Sequence, residues 1–236
     1  MVVSETFTLG RITLLALADS VNPCEIAVLT MVLVSILLAN PRNKKKVLFA
    51  GLAFSLAVFI GYLAYGVIII QFFKVFAEFL REGSKYVYNG LAILAMIIGA
   101  LNIKDFFFYK AGSFGTEMPI FMRPKVKKII GNITSPKSAF LIGFIVTLFL
   151  LPCTIGPYIV ASGLLSELGT IGAIPWLLYY NLVFILPMIV ITLIVYLGLA
   201  RVEDVSGWKE KNIRKLHLTA GILLFLVGLG IILGWI

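Results

Sequence analysis

The sequence predicts an all-α integral membrane protein of six transmembrane helices. They form two inverted three-helix repeats, with the first and fourth helices broken at Pro-Cys pairs. Three observations predict this. First, 61% of the 236 residues are hydrophobic and the mean hydropathy is +1.06, whereas a soluble domain is about half apolar. Second, the apolar residues fall into six runs long enough to cross a bilayer, with no alternating pattern that would suggest a barrel. In lipid, the backbone groups must be satisfied within the chain, which favours helices. Third, the two halves repeat one another. Cys24 and Cys153 lie 129 positions apart, while Gly90 and Gly221, like Gly99 and Gly230, lie 131 apart.

The first run, 11–39, carries VNPCE at 21–25. A proline inside a helix removes one N–H and clashes with the carbonyl four residues back, costing ~3 kcal/mol or more. Pro23 therefore frees the carbonyl of Asp19 and predicts a break. Asn22 suits the N-cap of a new half-helix, Pro23 its first position, and Glu25 the far corner of a capping box. Cys24 then falls in the first turn, at the positive end of the helix dipole.

The second run is 47–71. Its Gly51, Gly61 and Gly66 allow close helix approach. The stretch 72–85, FFKVFAEFLREGSK, has the apolar spacing of a short surface helix. The third run is 86–103. The loop that follows, 104–137, contains FFFYK and RPKVKKII; it either hugs the membrane surface or stands solvated.

The fourth run, 138–165, carries LPCTIGP at 151–157. Pro152 frees the carbonyl of Leu148, and Pro157 frees that of Cys153 itself. Gly156-Pro157 can start a helix, which places Cys153 and Thr154 in an unwound stretch just before it. Freed groups inside a membrane are tolerated where they face protein or a water-filled cavity, so the breaks predict a cavity. The fifth run, 174–199, holds Asn181 and Pro187, which are expected to shape a bend beside the site. The sixth run is 218–236. Three spans per half is an odd number, so the second copy enters from the opposite side. The pseudo-two-fold axis then lies in the membrane plane and brings the two cysteines together. Residues 1–236 thus form one membrane domain: repeat one to about 103, a loop to about 137, then repeat two.

Loop charge sets the orientation. The stretches 40–46, 102–137 and 200–217 hold sixteen of the twenty Lys and Arg residues, and the other side holds four. The sixteen face the cytoplasm, which puts both termini outside. This distribution also accounts for the net charge of +9 without nucleic acid. No short apolar core ends in a small-residue cleavage site, so the first span is expected to serve as an uncleaved targeting signal. Without an Arg-rich, Ser-rich leader, a prokaryotic plasma membrane is the expected location. Trp176, Trp208 and Trp235 fit interfacial anchors. His217, the single histidine, is expected at the surface. No His or carboxylate cluster, phosphate loop, catalytic Ser-His set or haem motif occurs, so neither metal nor cofactor is expected.

Both cysteines follow proline, although only nine of the 236 residues are proline. That pairing, at matching places in the two halves, points to chemistry rather than core filling. In a dry site, burial opposes the thiolate more strongly than a helix end favours it; ionisation is expected when water or a partner arrives. Asp19 and Glu25 are the nearest acids. Either can take a proton as a thiol ionises; Glu25 fits its capping role as well, and Asp19 also fits a place near the outer interface.

NPC at 22–24, LPCTIGP at 151–157, YNLVFILP at 180–187 and six spans with one cysteine in each half resemble the CcdA family of transmembrane electron carriers, also the membrane core of DsbD. The resemblance implies that Cys24 and Cys153 form a reversible disulfide and that Pro23, Pro152 and Pro157 are the family's helix breakers. It implies that cytoplasmic thioredoxin reduces the disulfide, and that the dithiol then reduces an extracytoplasmic thioredoxin-like protein serving cytochrome c maturation or disulfide repair. The chain lacks the soluble domains of full-length DsbD, so these partners are expected as separate proteins. With no second cysteine pair, the same two sulfurs must meet a partner on each side in turn, which calls for alternating exposure. A small-solute or soft-metal exporter is the alternative, since inverted repeats with broken helices suit that role and two sulfurs with Asp19 and Glu25 suit a soft metal.

Overall fold

The computed structural model describes residues 2–40, 43–79, 83–113 and 116–233. Among the described residues, 87% are helical and none lies in a strand. Its helices are α1 (Val2–Ser20), α2 (Pro23–Ala39), α3 (Lys44–Phe79), α4 (Gly83–Phe107), α5 (Arg123–Ile130), α6 (Pro136–Leu165), α7 (Gly169–Leu197) and α8 (Val202–Ile232). A 3₁₀ turn, Ser166–Leu168, joins α6 to α7.

Among the described residues, four helices are long and apolar enough to cross a membrane: Lys44–Val75, Asn89–Phe107, Gly169–Leu197 and Val202–Ile232. Two bent pairs raise the number to six if each is one span. Leu9–Ser20 meets Pro23–Ala39 at 52°, and Pro136–Leu151 meets Gly156–Leu165 at 93°. Both corners fall at the Pro-Cys pairs. The outer surface carries large apolar side chains such as Leu141, Leu148, Leu182 and Leu186, as suits a multi-pass membrane protein.

Helix pairing holds the two halves together. α4 lies along α8, α3 along both α6 and α7, and α1 against α7 and α8. The α4–α8 contact depends on glycine. A Cβ on Gly99 would meet the Phe225 nitrogen at 2.8 Å and the Gly221 carbonyl oxygen at 2.9 Å. These are backbone atoms and cannot swing aside, so the helices close at a distance that no side chain at Gly99 permits. Gly51, Gly61 and Gly66 of α3 face Thr192, Thr147 and Tyr158, respectively.

Two sequence expectations are corrected. Residues 72–79 continue α3 rather than forming a separate surface helix, because the apolar run carries the helix on; residues 80–82, including Arg81, lie outside the described residues. The stretch 202–217 is the first half of α8 rather than a loop. The Asp204 side chain accepts the Arg201 N–H at 2.8 Å and closes that helix start. Pro187 lies inside α7, whose helix assignment is continuous from Gly169 to Leu197. Trp176 packs partly buried against the core, Trp208 is exposed, and Trp235 lies outside the described residues.

Candidate functional site

The first corner is built by Asn22. Residues Asp19, Ser20, Asn22, Pro23, Cys24 and Glu25 are all buried. Asn22 caps α2 from an extended backbone (φ −63°, ψ 119°), and its Oδ1 accepts the Cys24 N–H at 3.0 Å. Its own N–H donates to the Asp19 carbonyl at 3.1 Å, the group that Pro23 frees. Its Nδ2 donates to the Cys153 carbonyl at 3.0 Å, the group that Pro157 frees. One side chain therefore satisfies orphaned backbone at both breaks and ties the corners together across 131 residues. Glu25 does not close the expected capping box; the Asn22 N–H is already taken by Asp19.

The second corner differs from the expected unwound stretch. α6 keeps helical hydrogen bonding from Pro136 to Leu165 while turning through 93°. Cys153 sits in that turn. The side chain of Pro152 lies outside the described residues. Thr154 is fully buried, and its hydroxyl hydrogen-bonds with that of Tyr62 at 2.7 Å. Gly156 leaves room for Ile98 of α4; a Cβ there would meet it at 2.6 Å.

The corners bring the two thiols together. Both cysteines are free and buried, and Cys153 lies near enough to Cys24 for the two side chains to interact. Their surroundings are unequal. Cys24 lies at the inner end of a cleft of about 220 Å³, which reaches exposed Arg123 and Glu210. Cys153 borders a cavity of about 20 Å³ with Asp19, Asn22 and Pro157, room for one water molecule.

Behind the thiols lies a buried polar cluster. Tyr180 donates to Asp19 Oδ2 at 3.0 Å. Glu25 lies beside Tyr62, and the Asp19 and Glu25 carboxyls are near enough to interact electrostatically. Tyr158 donates to the Tyr62 carbonyl, and Asn181 Nδ2 donates to the Tyr158 hydroxyl at 3.1 Å. Asp19 Oδ1, Glu25 Oε1 and Asn181 Oδ1 have no hydrogen-bond partner among the described residues. Asp19 is thus inside the cluster, not at an interface. Pro187 is half-buried further along α7 and stands apart from it.

In front of the thiols lies a segment that the sequence did not reveal. The chain after α4 folds inward, burying Thr116, Glu117 and Met118. The Met118 N–H donates to Cys24 Sγ at 3.2 Å. Glu117 anchors the segment. Its Oε1 accepts from Tyr109 at 2.8 Å and its Oε2 from the Gly112 N–H at 2.8 Å and from Arg123 at 2.6 Å. His217 Nε2 lies 3.4 Å from Oε1, and Nδ1 lies 2.9 Å from Asn102 Oδ1. His217 is 1% exposed, which overturns its expected surface position. Asp105 adds a second clasp, accepting from Thr116 at 2.6 Å and Ser113 at 3.1 Å. The middle of the loop is therefore folded in against α4 and α8, while Phe107, Phe108, Ile120 and Phe121 at its two ends stay exposed.

Burial works to raise the Glu117 pKa. The His217, Gly112 and Tyr109 contacts outweigh it and hold the carboxyl at about 2, against an ordinary 4.5. Burial and the hydrogen bond to Glu117 push Tyr109 up. A carboxylate with a depressed folded pKa stabilises the clasp above its unfolded value and loses that contribution as pH falls through the folded one. The loop is expected to stay clasped above about pH 4.5 and to loosen as pH falls toward about 2. Pepsin cleavage between Phe107 and Phe121 should accelerate over that window in the native chain relative to Glu117→Gln, which has no carboxyl there to titrate. Parallel profiles for the two proteins would refute the assignment.

Comparison of the chain with protein-family models, curated proteins and solved structures gives no match.

Proposed function

We propose that this chain carries reducing equivalents across a membrane by thiol–disulfide exchange, as its resemblance to the CcdA family implies. The observation that carries the reading is the pairing of the two thiols. The only cysteines in the chain, 129 residues apart, lie near one another at two helix corners that share one asparagine.

The chemistry balances as follows. A thiolate of cytoplasmic thioredoxin attacks one sulfur of the Cys24–Cys153 disulfide, forming a mixed disulfide and expelling the other sulfur, which takes a proton. The second thioredoxin thiol, losing its proton, attacks its own partner sulfur. It closes the thioredoxin disulfide and releases the first cysteine as a thiolate, which is protonated. Two electrons and two protons have then entered the pair. The reverse steps pass them to an extracytoplasmic thioredoxin-like protein. With thioredoxin at about −270 mV, an acceptor 30 mV higher draws electrons outward by about 1.4 kcal/mol. Asp19 and Glu25, buried beside the sulfurs, are the groups placed to exchange protons with them.

Each bent pair is read as one span, giving six in two inverted repeats. The helix pairing supports this. α4 with α8 and α3 with α7 are pairs that such an axis maps onto themselves, and α1 with α7 is mirrored by α6 with α3. The basic loops then face the cytoplasm of a prokaryotic cell, with both termini outside and the Cys24 cleft opening inward.

Vesicles containing the chain test the reading. With thioredoxin and its reductant outside and an oxidised thioredoxin-like protein enclosed, the enclosed disulfide should be reduced far faster than in protein-free vesicles. Reduction at the protein-free rate, with no Cys24–Cys153 disulfide detectable by mass spectrometry after mild oxidation, would refute it.

A further inference from the structure

We propose that the Met118 backbone N–H is a catalytic group that stabilises negative charge on Cys24 Sγ, and that Glu117 is the positioning residue that aims it. The proposal rests on the electron-carrier reading for its biological use and adds a site to it.

The argument starts from the loop. Met118 precedes Pro119, which disfavours helical backbone at Met118. Its N–H is thereby kept out of a helical ladder, and it donates instead to Cys24 Sγ at 3.2 Å. The contact is buried at the wall of the cleft, with Met118 at 5% exposure. A buried N–H needs an acceptor, and a sulfur is a weak one while it is a thiol. As a thiolate it becomes a charged acceptor, and hydrogen bonds to charge are about twice as strong. The donor therefore gains strength as charge develops on the sulfur, the condition under which a fixed dipole lowers a barrier.

The anchoring follows the same logic. Glu117, directly before Met118, is held by donors from four places: Tyr109, Gly112, Arg123 and His217 of α8. His217 is itself held by Asn102 of α4. The loop is thus pinned to α4, α5 and α8. Glu117 lines the same cleft as Cys24, yet a carboxylate with all these partners is a poor base for the thiol. Its geometry suits holding its neighbour in place.

Where thioredoxin attacks Cys24, the sulfur that lines the cleft, Cys24 becomes the leaving group when thioredoxin closes its own disulfide. A donor on Cys24 Sγ speeds that release. Cys153, the other partner of the pair, faces Cys24 and the small cavity instead.

The test isolates the leaving step in the full chain. In a Cys153→Ser background, Cys24 is joined to glutathione as a mixed disulfide and released with excess dithiothreitol. The dithiothreitol closes to its cyclic disulfide, while glutathione and Cys24 both end as thiols. Met118→Pro lacks the N–H, and Met118→Ala keeps it while losing the same side chain. The Pro variant is expected to release Cys24 roughly 10- to 100-fold more slowly than the Ala variant. Equal rates, or faster release from the Pro variant, overturn the proposal. If Met118→Pro does not fold, Glu117→Gln decides: several-fold slower release supports the positioning role, and release at the parent rate overturns it. The assay contains no thioredoxin and crosses no membrane. Its failure would leave the electron-carrier reading intact, and failure of the vesicle experiment would leave this contact intact.

Discussion

Cys153→Ser is expected to capture cytoplasmic thioredoxin as a stable mixed disulfide on Cys24, while Cys24→Ser captures about tenfold less through Cys153. Exchange depends on access as well as on the thiolate. Cys24 ends the cleft of about 220 Å³, whereas Cys153 borders a cavity of about 20 Å³. The thioredoxin has serine for its second active-site cysteine and carries its remaining cysteine as a mixed disulfide with 5-thio-2-nitrobenzoate; attack by Cys24 expels the thionitrobenzoate, nothing resolves the new disulfide, and the adduct can be read on a non-reducing gel. Both variants should also reduce vesicle electron transfer to the protein-free rate, because a two-electron couple made of two sulfurs has no partial form. Equal adducts from the two variants, or more from Cys153, would show that the cleft is not the entry route. An absence of adduct from either would remove the electron-carrier reading itself. A small-solute or metal exporter has no reason to form one.

The corners at Cys24 and Cys153 were legible in the sequence because proline acts locally: it removes a donor and frees a known carbonyl wherever it stands. What satisfies those carbonyls was not legible. Asn22 could be placed as an N-cap from its neighbours alone, but its bond to the Cys153 carbonyl joins residues 131 apart, and no local pattern carries that. Glu25 illustrates the converse error. Its spacing fits a capping box, yet tertiary packing gives the Asn22 N–H to Asp19 and turns Glu25 toward Tyr62. The clasp was hidden for a compositional reason. Residues 104–137 are basic and polar enough to read as a loop, and a single Glu or His offers no periodicity. Only the fold reveals that Glu117 and His217 meet. One cue was present: Glu117-Met118-Pro119 follows aromatic FFFYK and precedes RPKVKKII, so a lone acid stands among cations in a segment with apolar content. The continuous α8 was missed because its first half is polar and only its second half is apolar, so hydropathy marked the membrane-like portion rather than the helix.

Asn22→Ala is expected to destabilise the protein by about 2–4 kcal/mol, the sum of a lost N-cap and a buried carbonyl left without its donor. In a chain of this size that corresponds to a fall of about 5–15 °C in the apparent Tm in detergent. Two further substitutions separate the terms. Asn22→Ser keeps a capping oxygen for the Cys24 N–H, but its side chain is too short to span to the Cys153 carbonyl, so it should recover the cap alone, about 0.5–2 kcal/mol. Asn22→Asp also keeps the acceptor, but it replaces the donor with a carboxylate oxygen facing a carbonyl in a buried site, and should be no better than Ala. The bridge has a kinetic counterpart. Because Asn22 fixes both corners, its loss lets the sulfurs drift, and oxidation of the reduced pair to the Cys24–Cys153 disulfide should slow in both Ala and Ser. Orientation of this kind is worth most where the reacting atoms must align. If the Ser variant matched the native protein in both stability and disulfide formation, the Asn22–Cys153 bond would be incidental. The two corners would then be positioned independently by the packing of α3, α6 and α8.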